Sequence, residues 1–158
     1  MRRNGNASAL ALAPAIVLTA ALIHPACARF RGRPLVVPKG TKVAFEYGYG
    51  PRPRSLALHD EARQGVVRLL ATPSTEVKTS LLDEGEAEPY AFIVVGSRTL
   101  DVRINYVTLV EGETARTWGD ANLARLPEFV DVLDERQESR AEDEQRILDV
   151  FASLGKSE

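Results

Sequence analysis

The residues that usually carry catalysis are scarce in this chain. Its 158 residues include two histidines and one cysteine. His24 and Cys27 stand close together in residues 24–30 (HPACARF), just after an apolar run, and His59 is the only histidine beyond them. Cys–His and Ser–His nucleophiles need a histidine base. His59 falls on an alternating stretch, sharing a face with Ser55 and Ala57 opposite Leu56 and Leu58, so it is expected to point to solvent. A structural zinc site takes four ligands, mostly Cys and His, and once His24 and Cys27 leave with the signal segment described below, His59 alone cannot supply them. Residues 83–88 (DEGEAE) offer carboxylates to calcium, but without the EF-hand spacing. They read as a solvated hairpin loop. No glycine-rich phosphate loop is present. Paired carboxylates could still hydrolyse a glycoside without histidine, so a carboxylate-dependent hydrolase stays as the last-ranked alternative. The expectation is no catalytic residue, no metal and no cofactor.

Contact chemistry is better represented. Residues 47–54 (YGYGPRPR) bring together Tyr47, Tyr49, Arg52 and Arg54. Tyr and Arg are enriched at protein interfaces, and the prolines limit the entropy lost on docking. These four are candidate partner-binding residues; the same stretch also reads as a stiff turn. Trp118, in a linker-like region, either anchors the C-terminal tail to the rest of the chain or meets a partner.

The N-terminus indicates a compartment. Arg2 and Arg3 precede an apolar run over residues 9–23, and no acidic residue occurs before Glu46. A basic start, an apolar stretch and small residues at its end form a secretory signal. The run is short of the roughly 20 residues needed to span a bilayer, and Pro14 interrupts it. Ala26-Cys27-Ala28 is an A-x-A site that places the cut after Ala28. Lipid attachment at Cys27 is the alternative, which would make the protein a membrane-anchored lipoprotein. Cleavage leaves 130 residues with eighteen Lys/Arg and twenty-two Asp/Glu, a net charge of −4. A nucleic-acid partner is not expected, and a membrane would be met only through a partner or a lipid on Cys27. The charge is divided: residues 29–60 hold seven basic and two acidic side chains, residues 111–158 six and thirteen. These parts can attract within one molecule or between neighbours, so self-association is open.

The elements that must position these residues are mostly strands. Apolar residues alternate at Val43, Phe45 and Tyr47; at Leu56 and Leu58; at Val77, Thr79 and Leu81; at Tyr90, Phe92 and Val94; and at Leu100, Val102, Ile104 and Tyr106. Residues 65–71 (GVVRLLA) are continuously apolar and read as a strand buried on both faces. Turns are marked by Pro38-Lys39-Gly40 and Gly96-Ser97. The expected fold is mainly β: a small antiparallel β-sandwich over residues 29–110. A linker at 111–126 and a helical tail at 127–155 follow. Phe129, Val130, Leu133, Ile147, Leu148, Phe151 and Leu154 fall near one helical stripe whose middle is charged, so the tail is one solvent-bridging helix or two divided near Ser139. Ile147, Phe151 and Leu154 form its expected free apolar end and complete the candidate partner-binding set.

Residues 92–104 (FIVVGSRTLDVRI) and 37–45 (VPKGTKVAF) resemble the N-terminal β-domain of TrbG/CagX-like outer-membrane-complex subunits of type IV secretion and conjugation machines. The resemblance covers residues 36–106. Leu100 stands where an aromatic usually follows Arg-Thr, and the second β-domain of that family is not found. The resemblance implies an exported, non-enzymatic assembly piece. The reading is therefore a periplasmic or secreted structural or adaptor protein of the bacterial cell envelope, acting through protein–protein contacts. A free-standing periplasmic binding or inhibitor module is the alternative.

Overall fold

A computed structural model describes residues 30–48, 53–81, 88–136 and 141–156. Eight strands form one antiparallel sheet: β1 (Phe30–Gly32), β2 (Val43–Tyr47), β3 (Arg54–Leu58), β4 (Ser74–Lys78), β5 (Ala91–Val95), β6 (Arg98–Val102), β7 (Tyr106–Glu111) and β8 (Thr114–Gly119). Their order across the sheet is β1-β4-β8-β7-β6-β5-β2-β3, which leaves β1 and β3 at the two edges. Among the described residues three helices complete the fold: α1 (Asp60–Ala71), α2 (Leu126–Arg136) and α3 (Ala141–Ser153). The expected antiparallel, β-rich character is present. The two-sheet sandwich is not, because the second layer is helical.

Alternation decides which face the helices cover. Val43, Phe45 and Tyr47 are buried, as are their cross-strand neighbours Val95, Ile93 and Ala91. Leu100, Val102, Val107, Leu109 and Trp118 continue this face into β6, β7 and β8. It packs on α3 through an edge-on contact of Phe45 with Phe151, ring centroids 5.0 Å apart. The opposite face carries half-buried and exposed side chains such as Ala44, Glu46, Phe92, Val94, Thr99 and Asp101.

Residues 65–71 are helical, correcting the strand reading. A short continuous apolar run fits a buried strand or a buried helix, and periodicity alone cannot separate them. The wider window favours a helix, with Ala62, Val66, Leu69 and Leu70 on one buried stripe and Asp60 and Glu61 in the first turn. Pro73 then stops it. Residues 100–106 are not one strand either. The chain turns between β6 and β7, leaving Ile104 60% exposed. Thr79–Leu81 is a 3-10 turn rather than an extension of β4. The expected linker contains β8 and a 3-10 turn at Ala121–Arg125.

The tail is also corrected. The division into two helices is one of the two expected arrangements; what changes is the free apolar end, because α3 belongs to the core and Ile147, Phe151 and Leu154 have no exposed surface. Its C-terminal end is clamped. Arg68 donates from Nε to the Leu154 carbonyl (3.1 Å) and from Nη2 to the Ala152 carbonyl (2.7 Å). Gly155 adopts φ +66° and donates its N–H to Asp120 Oδ2 at 2.8 Å. A helix C-terminus leaves carbonyls without partners, and the cationic Arg68 satisfies two of them while complementing the helix dipole.

Candidate protein-binding edge at β3

Among the described residues, β3 pairs with β2 on one side only. Which of its backbone groups point outward follows from hydrogen-bond phase. The N–H of Gly96 bonds the Lys42 carbonyl at 3.0 Å, so Lys42 faces β5. Backbone groups alternate sides along a strand. Ala44 and Glu46 therefore also face β5, while Val43, Phe45 and Tyr47 face β3. Their partners Leu58, Leu56 and Arg54 are satisfied. Ser55 and Ala57 then direct both N–H and C=O away from the sheet. Their side chains are small, uncharged and exposed. Natural edges are commonly protected by Lys, Pro or a bulge; within β3 the outward residues carry none of these.

A cleft of about 260 Å³ adjoins this edge, lined by Ala57, His59, Asp60, Glu61, Ala62, Gln145, Leu148, Asp149 and Ala152. The short β3–α1 connection builds one wall. His59 occupies the N-cap position of α1 and is exposed, rather than lying on a strand. Asp60 reaches φ +46°, a left-handed value tolerated better by Asp than by most residues. The outward side of α3 builds the other wall. The floor is apolar, from Ala62, Leu148 and Ala152, and the rim is acidic, from Asp60, Glu61 and Asp149. Glu61 stands 3.9 Å from Arg68, with both side chains partly exposed, a pairing worth little in solvent. Asp149 accepts a hydrogen bond from Gln145 at 2.9 Å.

The expected partner-binding set is dispersed. Tyr47 is 3% exposed within β2 and stacks on Phe45 at 5.4 Å. Burial raises its hydroxyl pKa above the ordinary value, Glu144 raises it further, and Arg54 opposes both. Arg54 is half-buried in β3, with Nη1 shielded from solvent and without a hydrogen-bond partner among the described residues. Neither residue belongs to an exposed recognition loop. Tyr49, Arg52 and Cys27 lie outside the described residues, as do residues 83–87 of the acidic stretch. Ile147, Phe151 and Leu154 are internal and cannot form a free docking end. Trp118 is buried in β8, and its Nε1 donates to the Thr72 carbonyl at 3.1 Å, which fixes the C-terminal end of α1 to the sheet.

Among the described residues, no group of His, Cys, Asp and Glu is arranged to hold a metal ion, and no helix is long and apolar enough to cross a membrane. Sequence reasoning missed the β3 edge. The available signal was Pro53 immediately before a five-residue strand, with a helix start immediately after it. Comparison with protein-family models finds no match, and neither does comparison with curated proteins or with solved structures.

Proposed function

We propose that this chain is an exported, non-enzymatic adaptor of the bacterial cell envelope that binds a protein partner by strand addition at β3. The observation carrying this reading is the outward-facing backbone of Ser55 and Ala57 beside a cleft of about 260 Å³. An extended segment laid along such an edge gains main-chain hydrogen bonds, and a neighbouring pocket supplies side-chain selectivity. The basic start and apolar run of residues 1–23 support export. The resemblance of residues 36–106 to secretion-complex subunits supports a place in such a machine.

The test is photo-crosslinking in cells of the native source, with a photoreactive residue at Ser55 and a control at Thr99, which is exposed in mid-sheet on the same face. Ser55 should give a discrete cross-linked protein species, and Thr99 should not. The intact mass of the exported protein should begin at Arg29. Absence of any Ser55 adduct would refute the edge. A full-length mass in the cytoplasm would refute export.

A further inference from the structure

We infer that the β3 edge of one copy receives the β1 edge of a second copy, so that the chain associates head to tail. The inference rests on reading β3 as a strand-addition edge, and it names the occupant from charge. On the cleft side of β3 the accessible charges are acidic. Asp60, Glu61 and Asp149 rim the cleft on the helical side, and Glu46 lies across from Ser55 on the other face. Of the cations near β3, Arg54 is half-buried against Tyr47 within the strand, whereas Lys42 is exposed on the opposite face. Arg63 donates to the carbonyls of Thr41 and Pro38, Arg68 to those of Ala152 and Leu154, and Arg146 lies 3.6 Å from Asp143.

The β1 edge has the opposite character. The N–H of Thr79 bonds the Glu113 carbonyl at 2.8 Å, so Thr79, Val77 and Thr75 face β8, while Glu76 and Ser74 face β1. Phe30 and Gly32 are thereby satisfied, and Arg31 directs its N–H and C=O outward. Arg31 and Arg33 are exposed, and neither has an ion-pair partner among the described residues. They line a cleft of about 460 Å³ with Glu76, Glu111 and Arg116. Glu111 there is taken by Arg116 at 2.6 Å and Arg98 at 3.1 Å.

Charge then selects the pairing. β3 against β3 would oppose acid to acid, and β1 against β1 would set Arg31 and Arg33 against their own copies, with Glu76 the one acid of that cleft not taken by a cation. Only β1 against β3 joins outward backbone groups with complementary charge on both sides. Such a contact is heterologous, and it builds a ring if the rotation closes or an open chain if it does not.

The experiment uses the exported protein and sedimentation velocity over a concentration series. Wild type should show a mass that rises with concentration. The rise should be lost in about 1 M salt, where screening acts within roughly 3 Å. Arg31→Glu with Arg33→Glu should be monomeric, and so should Glu61→Lys with Asp149→Lys, each with a wild-type melting curve. Mixed one to one, the two variants should regain association, because each edge then meets its opposite. As a second measurement, Arg31→Cys mixed with Ala57→Cys should trap more disulfide heterodimer than either homodimer. A wild type that stays monomeric at every concentration, or a mixture that does not regain association, overturns the inference. If wild type stays monomeric while Ser55 captures a protein of another mass, the second-copy inference fails and the adaptor reading stands.

Discussion

Gly65→Ala separates two pictures of the C-terminal region by the sign of its effect. Gly65 is buried in the middle of α1 where α3 crosses. A Cβ built there would stand 1.7 Å from the Phe151 carbonyl oxygen and 2.8 Å from its carbon. Ordinary contact begins near 3.4 Å, so the helices would have to separate by about 1.7 Å. The obstructing atoms are backbone, and no rotamer change relieves them. Overpacking of this kind costs about 1–3 kcal/mol, and a rigid backbone contact belongs at the upper end. Against it, replacing a mid-helix glycine by alanine favours the helix by about 1 kcal/mol. The net expectation is destabilisation by about 2 kcal/mol, a large share of a usual total of about 5–15 kcal/mol.

If α3 were a tail extending away from the domain, the packing term would vanish and only the helical preference would remain. Gly65→Ala would then stabilise the protein. Urea unfolding followed by circular dichroism reads the difference. With a slope of about 2 kcal/mol per molar urea, the midpoint should fall by about 1 M. A midpoint unchanged or raised would refute the α1–α3 contact and return α3 to the role of a free arm.

Other perturbations follow from the same packing. Phe45→Ala should cost about 3–5 kcal/mol, because Phe45 is fully buried against Phe151, whereas Ile104→Ala should stay within about 0.5 kcal/mol at a position 60% exposed; denaturant midpoints check both. Replacing Ile147, Phe151 and Leu154 together by polar residues should abolish the cooperative unfolding transition rather than merely release a partner. Tyr47 links stability to alkaline pH. Its hydroxyl pKa is raised in the folded state above 10.0, first by burial, so the folded protein keeps the neutral phenol where the unfolded chain ionises. Its contribution is complete below pH 10 and is lost as pH rises through the folded pKa. Unfolding midpoints should fall in that range, and Tyr47→Phe should flatten the fall.

The sheet was largely legible and the helical layer was not, for a physical reason. Strands covered on one face alternate, and β2, β3, β5 and β6 show this in Val43-Phe45-Tyr47, Leu56-Leu58, Ile93-Val95 and Leu100-Val102. For β5 the alternation was assigned to Tyr90, Phe92 and Val94, one residue out of phase with the buried set Ala91, Ile93 and Val95. Both sets are apolar, so period alone could not choose between them. Ile104 continues the β6 alternation in sequence but sits in a turn. Alternation does not mark where a strand ends. α1 was not legible because its C-terminal half, residues 65–71, lacks polar interruptions apart from Arg68, and a short continuous apolar run fits a buried strand equally well.

The charged middle of the tail fits the second of the two arrangements its pattern allowed. A single helix lying along a domain would need one continuous apolar stripe. Two helices need only a stripe each: Leu126 and Val130 on α2, and Ile147, Val150 and Phe151 on α3 are buried. Much of the charged stretch thus belongs to the end of α2 and the start of α3 and need not mark an arm reaching outward. That moves the search for an interaction surface away from the tail's apolar side chains and toward backbone. Ser55 and Ala57 carry no distinctive side chain, and no composition or motif rule selects them. They stand out only once β3 is known to be an edge strand and Lys42 is known to face β5. A site made of outward main-chain groups leaves almost no trace in residue identity, so topology has to be determined before such a site can be seen.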